Sequence, residues 1–500
     1  MELSRDRALA ELSERFFDLL VIGGGIIGAG VACEAARLGL AVALVDRADF
    51  ASGTSSASSK LIHGGLRYLQ LGDLRLVRQA HAERRALMQV VAPHLVRRLS
   101  FLMPLYEGAP YRRRTLQAGL WLYSTLARER LGGLVPPERA RKAVPAIRLD
   151  GLQACGLYSD SWTNDSRLCL ANVRGAADSG ATVANYVEVR ELRDTDGRLQ
   201  GAEAIDCLTG EAITISARAV VNATGPWVDR VRRLEDPAAA PSNRLSKGVH
   251  VTLPMPRPWS AALTIPHDKV RVSFAFPWEG MLLLGTTDTL YDGEPEDVAP
   301  TPEDVQQVLD EASTAVDPGL LRPESVLSTF AGLRVLPGAG RDTAIARRET
   351  VLLHGTKGMV SVAGGKLTTY RRIALDTLEA LGPELGIHRL ERTPNPLPGA
   401  ADPGQAARRL ARQFPQLAPD VRAQLIHAYG TLAEEVLAPT ADRPELLELL
   451  HPDAPELVAQ AVYARDAEWA CTAEDVLRRR TTLALRGLTA ADVAGIESPQ

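Results

Sequence analysis

The segment Ser58–Leu69, SSKLIHGGLRYL, places two hydroxyls, a lysine, a histidine, a glycine pair, an arginine and a tyrosine within twelve residues. Hydroxyls and backbone amides can line an extended anionic chain, and a Gly-Gly pair lets backbone pass flat against a ring. The planar donor fork of Arg67 suits a phosphate or carboxylate. Upstream, Gly23, Gly25 and Gly28 form G-x-G-x-x-G. The first allows a tight turn, the second lets backbone approach a pyrophosphate, and the third lets helix and strand pack closely. A helix opened by such a loop turns unpaired N–H groups and a positive dipole end toward phosphate. Asp46 closes the next apolar run, AVALVD, where a carboxylate accepts hydrogen bonds from ribose hydroxyls.

The elements that must hold these groups can be read around them. DLLVI is a buried strand, IIGAGVACEAARLG has helical spacing ending at Gly39, and AVALVD is a second strand, so the chain opens as a βαβ unit. Strand, loop, helix and acid in register predict dinucleotide binding without separating NAD from FAD. A NAD domain would continue its βαβ alternation near residue 60, but GTSSASSKLIHGG is polar and loop-forming, which favours FAD.

Residues from about 70 to 130 read as largely helical, from LRLVRQAHAERRALMQVVAPHL and RRRTLQAGLWLYSTLARERL. GATVANYVEVREL, ARAVVNATGPW, GVHVTLPM, VRVSFAFPW and GMLLLGTTD read as strands, and MVSVAGGKLTTYRRIALDTLEALG as strand, glycine pair and helix. The Pro- and Gly-dense ERTPNPLPGAADPGQ reads as a linker, and the chain from about 405 to 495 as a small helical domain.

With 500 residues, 45% hydrophobic and 24% charged, the composition is that of a globular protein of two or three domains. No apolar run reaches bilayer-spanning length, and the charged N-terminal stretch lacks a secretory pattern, so a cytoplasmic location is expected. Cys33, Cys155, Cys169, Cys207 and Cys471 are scattered without a C-x-x-C pair. That spacing argues against a disulfide framework or metal site, and the cysteines are expected to be small buried fillers. Between Lys60 and Asp150 lie 17 Lys and Arg against 6 Asp and Glu, a local excess of positive charge in a chain of net charge −4. The excess fits a solvated basic face, an anionic substrate or an anionic membrane surface. No nucleic-acid module accompanies it.

Through VIGGGIIGAG, SSKLIHGGLRYL, NATGPW, KGVH, GTTDT, GLRVLPG and GGKLTTYRRIA, in that order, the sequence resembles the FAD-dependent glycerol-3-phosphate dehydrogenases, within the broader D-amino-acid-oxidase-like flavoproteins. The resemblance implies an α/β fold with a Rossmann-like FAD-binding domain assembled from 1–90, 151–235 and 330–390. It further implies a β-rich substrate (cap) domain from 91–150 and 236–329, a linker at 391–404 and an all-helical C-terminal domain at 405–500. The implied reaction is oxidation of sn-glycerol 3-phosphate to dihydroxyacetone phosphate, with electrons leaving to a membrane quinone.

Cofactor contacts are expected from Gly23, Gly24, Gly25, Ile26, Ile27 and Gly28, from Asp46 and Arg47, and from Thr54, Ser55, Ser58, Ser59, Lys60, Leu61, His63, Gly64 and Gly65. Val187, Ala223, Thr224, Gly225, Gly364, Gly365, Lys366, Leu367 and Thr368 complete that set. Lys60 is assigned to the cofactor's pyrophosphate and ribityl chain. The helix beginning near Thr368 is expected to direct its positive end at the flavin pyrimidine edge.

Substrate binding falls to Arg67, Tyr68, Arg334, Arg347 and His250; Arg348 reads as a surface residue, and Arg334, in an apolar Gly-flanked stretch, as a buried cation with an anionic partner. The catalytic set is His63, His250, Lys366 and Arg334. His63, His250 and Lys366 stay open as acceptors of the hydroxyl proton, an imidazole being the default base. Trp162, Asn164, Asp165 and Arg167 in WTNDSRL carry an architectural role. Val335 and Val249 stand where the family pattern has proline and serine, which touches fine geometry but no charged group.

Peripheral attachment to the inner face of the cytoplasmic membrane would use YRRRTLQAGLWLYSTLARER, with Trp121 and Tyr123 beside arginines, although a helix packed on the core has the same pattern. A homodimer is allowed for. The rivals are an oxidase of the same fold releasing hydrogen peroxide, an amine or amino-acid oxidase, and a non-catalytic flavin-bound scaffold.

Overall fold

The computed structural model describes residues 5–66, 69, 72–129, 132–268, 271–338 and 350–493. The first sheet is built on β1 (Phe16–Ile22), parallel to β2 (Val42–Val45) on one side and to β10 (Ala212–Asn222) on the other. β7 (Thr182–Ala184) extends it beyond β2. β18 (Val360–Gly364) extends it beyond β10, edged by antiparallel β17 (Thr350–His354). A hairpin of β8 (Val187–Thr195) and β9 (Arg198–Asp206) joins the start of β10.

Both faces of β1 are covered, which is why it is apolar at successive positions. Leu19 and Val21 pack with the helices Ile26–Arg37, Asp165–Asp178 and Tyr370–Ala380. Leu20 and Ile22 face the hairpin and the helix Arg5–Glu14.

The second sheet contains β3 (Leu61–Ile62), β4 (Arg97–Tyr106), β5 (Gly133–Val135), β6 (Leu152–Trp162), β11 (Asn243–Pro254), β12 (Ala261–Pro266), β13 (Val272–Trp278), β14 (Met281–Gly285), β15 (Thr289–Tyr291) and β16 (Ser328–Pro337). Its main path runs β15, β11, β14, β13, β12, β4, β6, β3, with β16 on β11 and β5 on β6. β3 and β16 thus belong to this sheet although they lie in segments expected to build the dinucleotide domain, as does β6 just past the boundary expected at 151.

β4 departs from the helical reading of 70–130. It lies between the helices Leu74–Ala86 and Arg113–Ala127, parallel to β12 and antiparallel to β6. Leu99, Phe101, Met103 and Leu105 enter one core while Leu102 enters another. A strand buried on both faces has no period-2 signal, so helical neighbours mask it.

The chain beyond 400 is helical, including Pro403–Gln413, Pro419–Tyr429 and Val458–Ala467. The expected linker is packed: Leu397 is buried and its N–H donates to Val91 O at 2.8 Å, while Gly399 O accepts from Thr431 N. The expectation of buried cysteines holds for Cys33, Cys155 and Cys169, but Cys207 is exposed at a hairpin turn and Cys471 is half-buried; all five thiols are free.

Gly28 shows how tightly the first helix seats on β1. A Cβ there would stand 1.9 Å from Gly23 O. Gly28→Val is therefore expected to cost about 1–3 kcal/mol or more in urea unfolding, with loss of bound cofactor; an unchanged midpoint would show that the helix can retreat without penalty.

Candidate active site

Gly23 leaves β1 with φ +105°, and a Cβ there would lie 2.7 Å from Ala223 O at the end of β10. Only glycine suits both the angle and that approach. The next helix opens at Gly25 with no side-chain cap, and Ile26 N–H donates to Ser55 Oγ at 2.8 Å. Asp46 accepts from Gly24 N at 2.6 Å and from Ala48 N at 2.9 Å. Burial nevertheless pushes its carboxyl up to about 6, these two N–H groups pulling the other way.

A cavity of about 650 Å³ opens over this loop between the two sheets. Gly23, Gly25, Ile26, Ile27, Asp46, Arg47, Thr54, Ser55, Ser58, Ser59, Leu61, His63 and Gly65 line it. So do Val187, Ala223, Thr224, Gly225, His250, Arg334, Gly364, Gly365, Lys366, Leu367 and Thr368. Residues as far apart as 23 and 368 thus converge on one space. Arg67, Tyr68 and Arg347 lie outside the described residues.

Four expected cofactor residues are not among those lining the cavity. Gly24 faces the Phe50 ring, Gly28 packs on Gly23 O, and Gly64 backs onto the His81 ring. Lys60 is a correction of chemical consequence. Its side chain is 1% exposed, and Nζ donates to Asp165 Oδ1 at 2.6 Å and to Ser56 O at 2.9 Å, between the rings of Trp278 and Phe330. Asp165 also accepts Ser58 Oγ–H at 2.7 Å and Ser58 N–H at 3.1 Å. The lysine anchors the loop from behind, because two opposite charges out of water must satisfy each other. A pair 105 residues apart leaves no local mark in the sequence.

On the cavity wall, His250 Nε2 meets Ser59 Oγ at 2.9 Å, and its ring stacks on Phe330 at 4.9 Å between centroids. Its Nδ1 is buried without a hydrogen-bond partner among the described residues. Burial first, then Arg334 and Lys60, hold its pKa well below the ordinary histidine value. His63 is pushed down to about 4 by burial, with Lys366 and Arg84 adding to it.

Arg334 donates to Thr286 Oγ1 at 2.8 Å and to Thr287 O at 3.2 Å, and stands 3.8 Å from Asp288. The expected anionic partner is there, but the guanidinium is partly exposed to the cavity rather than buried. Gly248 makes room for it, since a Cβ there would fall 2.3 Å from Arg334 Nη2.

Asp160, which sequence reading missed, also lines the cavity. It accepts Gly64 N–H at 3.0 Å, Tyr123 O–H at 2.8 Å and an Arg84 donor at 3.2 Å; burial raises its pKa to about 6. One acid on a strand carries no signal of this kind. Tyr123 therefore points inward, not to a membrane, while Trp121 on the same helix is 52% exposed. Among the described residues no helix is long and apolar enough to cross a membrane, and no acid, histidine or cysteine group is arranged to hold a metal.

Fold and cavity define an FAD-dependent oxidoreductase. Residues 18–371 match the family model described as FAD dependent oxidoreductase, and residues 393–495 match the C-terminal domain of alpha-glycerophosphate oxidase. A glycerol-3-phosphate dehydrogenase of Mycobacterium leprae is 36% identical over 97% of this chain and 86% of its own, and one of Synechocystis is 35% identical over 96% and 91%.

The structure of the Bacillus halodurans glycerol-3-phosphate dehydrogenase complexed with FAD superposes with a TM-score of 0.78 at 30% identity, covering 97% of this chain and 90% of that one. The Mycoplasma pneumoniae L-alpha-glycerophosphate oxidase with FAD bound shares the fold, with a TM-score of 0.57 at 16% identity over 74% and 95% of the two chains. The chain belongs to the FAD-dependent glycerol-3-phosphate dehydrogenase family. Its residues fit the cofactor: Gly23 and Gly25 without side chains, a helix start whose N-cap residue is glycine, and Asp46 all face one cavity.

Breaking the anchor behind the loop tests its importance. Lys60→Met is expected to cost about 3–5 kcal/mol by leaving Asp165 buried and unpaired, whereas adding Asp165→Asn, which keeps an acceptor for Ser58, should recover at least half. Equal stability of the single variant and the parent in urea titration would remove the pair from this role.

Proposed function

We propose that the chain oxidises sn-glycerol 3-phosphate to dihydroxyacetone phosphate and passes the electrons to a membrane quinone. Bound FAD supplies the hydride acceptor. The residues supply an anion site and a base, and the observation that carries the reading is their placement on one strand pair. In the β11–β16 register Ser246 faces Arg334 and His250 faces Phe330. Gly248, over which the Arg334 guanidinium lies, and His250 are two residues apart on the same face, about 7 Å at strand rise.

Arg334 holds the substrate phosphate, the role that the resemblance also assigns to Arg67, Tyr68 and Arg347. His250 takes the hydroxyl proton through Ser59: the Ser59 hydroxyl, 2.9 Å from the neutral ring's Nε2, passes its own proton to that nitrogen as it receives the substrate's. His63 and Lys366 are the alternatives, His63 being neutral as well. Asp46, Ser55 and the glycine loop hold the dinucleotide. Dehydrogenase is preferred to oxidase for the names carried by the relatives at 35–36% identity over nearly the whole chain. Attachment to an anionic membrane would use the exposed Trp121 and the arginines at 112–114.

An anaerobic titration should bleach the flavin absorbance at one equivalent of glycerol 3-phosphate, and re-oxidation should be faster with a quinone analogue than with oxygen. Stoichiometric peroxide in air would make the enzyme an oxidase, and bleaching by amino acids alone would move it to another substrate class.

The pH dependence carries a sign. A histidine with its pKa depressed stays neutral, and able to accept a proton, from alkaline pH down through about 6.5. The acid limb of kcat, which reports the substrate complex, is therefore expected well below about pH 6.5. A limb at or above that ordinary histidine value contradicts the assignment of His250 or His63 as base.

A further inference from the structure

Two arginines of the C-terminal helical region reach into the dinucleotide fold. Arg479 Nε and Arg480 Nη1 both donate to Asp49 Oδ2, and Arg480 Nη2 donates to Asp49 Oδ1 at 2.9 Å. Asp49 is 1% exposed and lies three residues beyond Asp46. Asn185 Nδ2 spans the same junction, donating to Asp49 Oδ1 at 3.0 Å and to Trp469 O at 2.7 Å. The next residue, Phe50, closes against the phosphate loop: a Cβ on Gly24 would lie 2.3 Å from its ring. Its other side meets the Trp469 ring edge-on, with centroids 5.7 Å apart.

The segment 46–51 is thus held from two directions. Toward the cofactor cradle, Asp46 accepts Gly24 N–H and Ala51 N–H donates to Gly24 O at 3.1 Å. Away from it, the segment is gripped by residues 469–480. None of those C-terminal residues lines the cavity. The junction is charge-balanced, since Arg479 also donates to Asp475 at 2.7 Å. Withdrawal of Arg480 would leave a buried carboxylate poorly paired, and a buried charge that loses a partner moves or protonates.

We propose that the C-terminal helical domain clamps the cofactor's phosphate loop, so that Trp469, Arg479 and Arg480 set how firmly FAD is retained without touching substrate or reacting atoms. They are positioning residues that act through Asp49 and Phe50. A loop released from this grip spends part of its time out of the binding conformation, and apparent affinity falls by that fraction. The inference rests on FAD as the cofactor and is independent of the electron acceptor.

The test is flavin release from the full-length holoenzyme, followed as the rise in flavin fluorescence after dilution. Arg480→Met and Trp469→Leu should each release FAD about tenfold faster or more, with kcat per bound flavin and KM for glycerol 3-phosphate within about twofold of the parent. Arg480→Lys, which keeps the charge but loses the fork, should fall between parent and Arg480→Met. Val436→Ala, a core truncation in the same domain away from the junction, should lower the melting temperature and leave release unchanged. Should Arg480→Met not fold, Trp469→Leu decides alone. Release at the parent rate in the variants that fold, or equal acceleration in Val436→Ala at matched loss of melting temperature, overturns the proposal.

Discussion

The site depends on one buried ion pair. Lys60 and Asp165 meet at 2.6 Å in a space closed to water, and the serine-rich loop from Gly53 to Lys60 is fixed to them. From that loop Ser55 reaches the helix start at Ile26, Thr54 donates to Leu333 O at 2.6 Å, and Ser59 meets His250. A single irregular segment therefore ties the dinucleotide loop of the first sheet to the cavity wall at His250 in the second. Burying two charges is costly, and it yields a loop whose position is specified although it has almost no regular structure.

The cavity's electrostatics arise from the same packing. Arg334, Lys366 and the buried Lys60 surround histidines that burial already disfavours as cations, so the imidazoles stay neutral where a free ring would be titrating. Under the proposed reading, anion binding and proton acceptance fall to different groups. A phosphorylated alcohol needs both at once, one for its phosphate and one for its hydroxyl.

Much of this is legible in the residues. Gly23, Gly25, Gly28 and Asp46 announce a dinucleotide fold because each spacing has a local geometric cause, and the strand–Gly-Gly–helix at 360–380 does the same for the far wall. The order of motifs marks the family. What cannot be read is what depends on long-range pairing. β4 is hidden because it is apolar on both faces between helices. Lys60 is misread because its partner is 105 residues away, and Asp160 escapes notice because its role comes from Gly64, Tyr123 and Arg84 meeting in space. Tyr123 beside Trp121 has the look of a membrane pair, yet helical geometry sends the two to opposite faces.

Amide hydrogen exchange of the holoenzyme over residues 54–64 reads how firmly the Lys60–Asp165 pair holds this segment. Ala57, Ser58, Lys60, His63 and Gly64 all donate their amides to protein acceptors despite lying in or beside a loop. The expected result is exchange as slow as that of β1 and β10, the core strands. Exchange at the rate of an exposed surface loop would contradict the account, because the segment said to join the two halves of the site would then be opening freely.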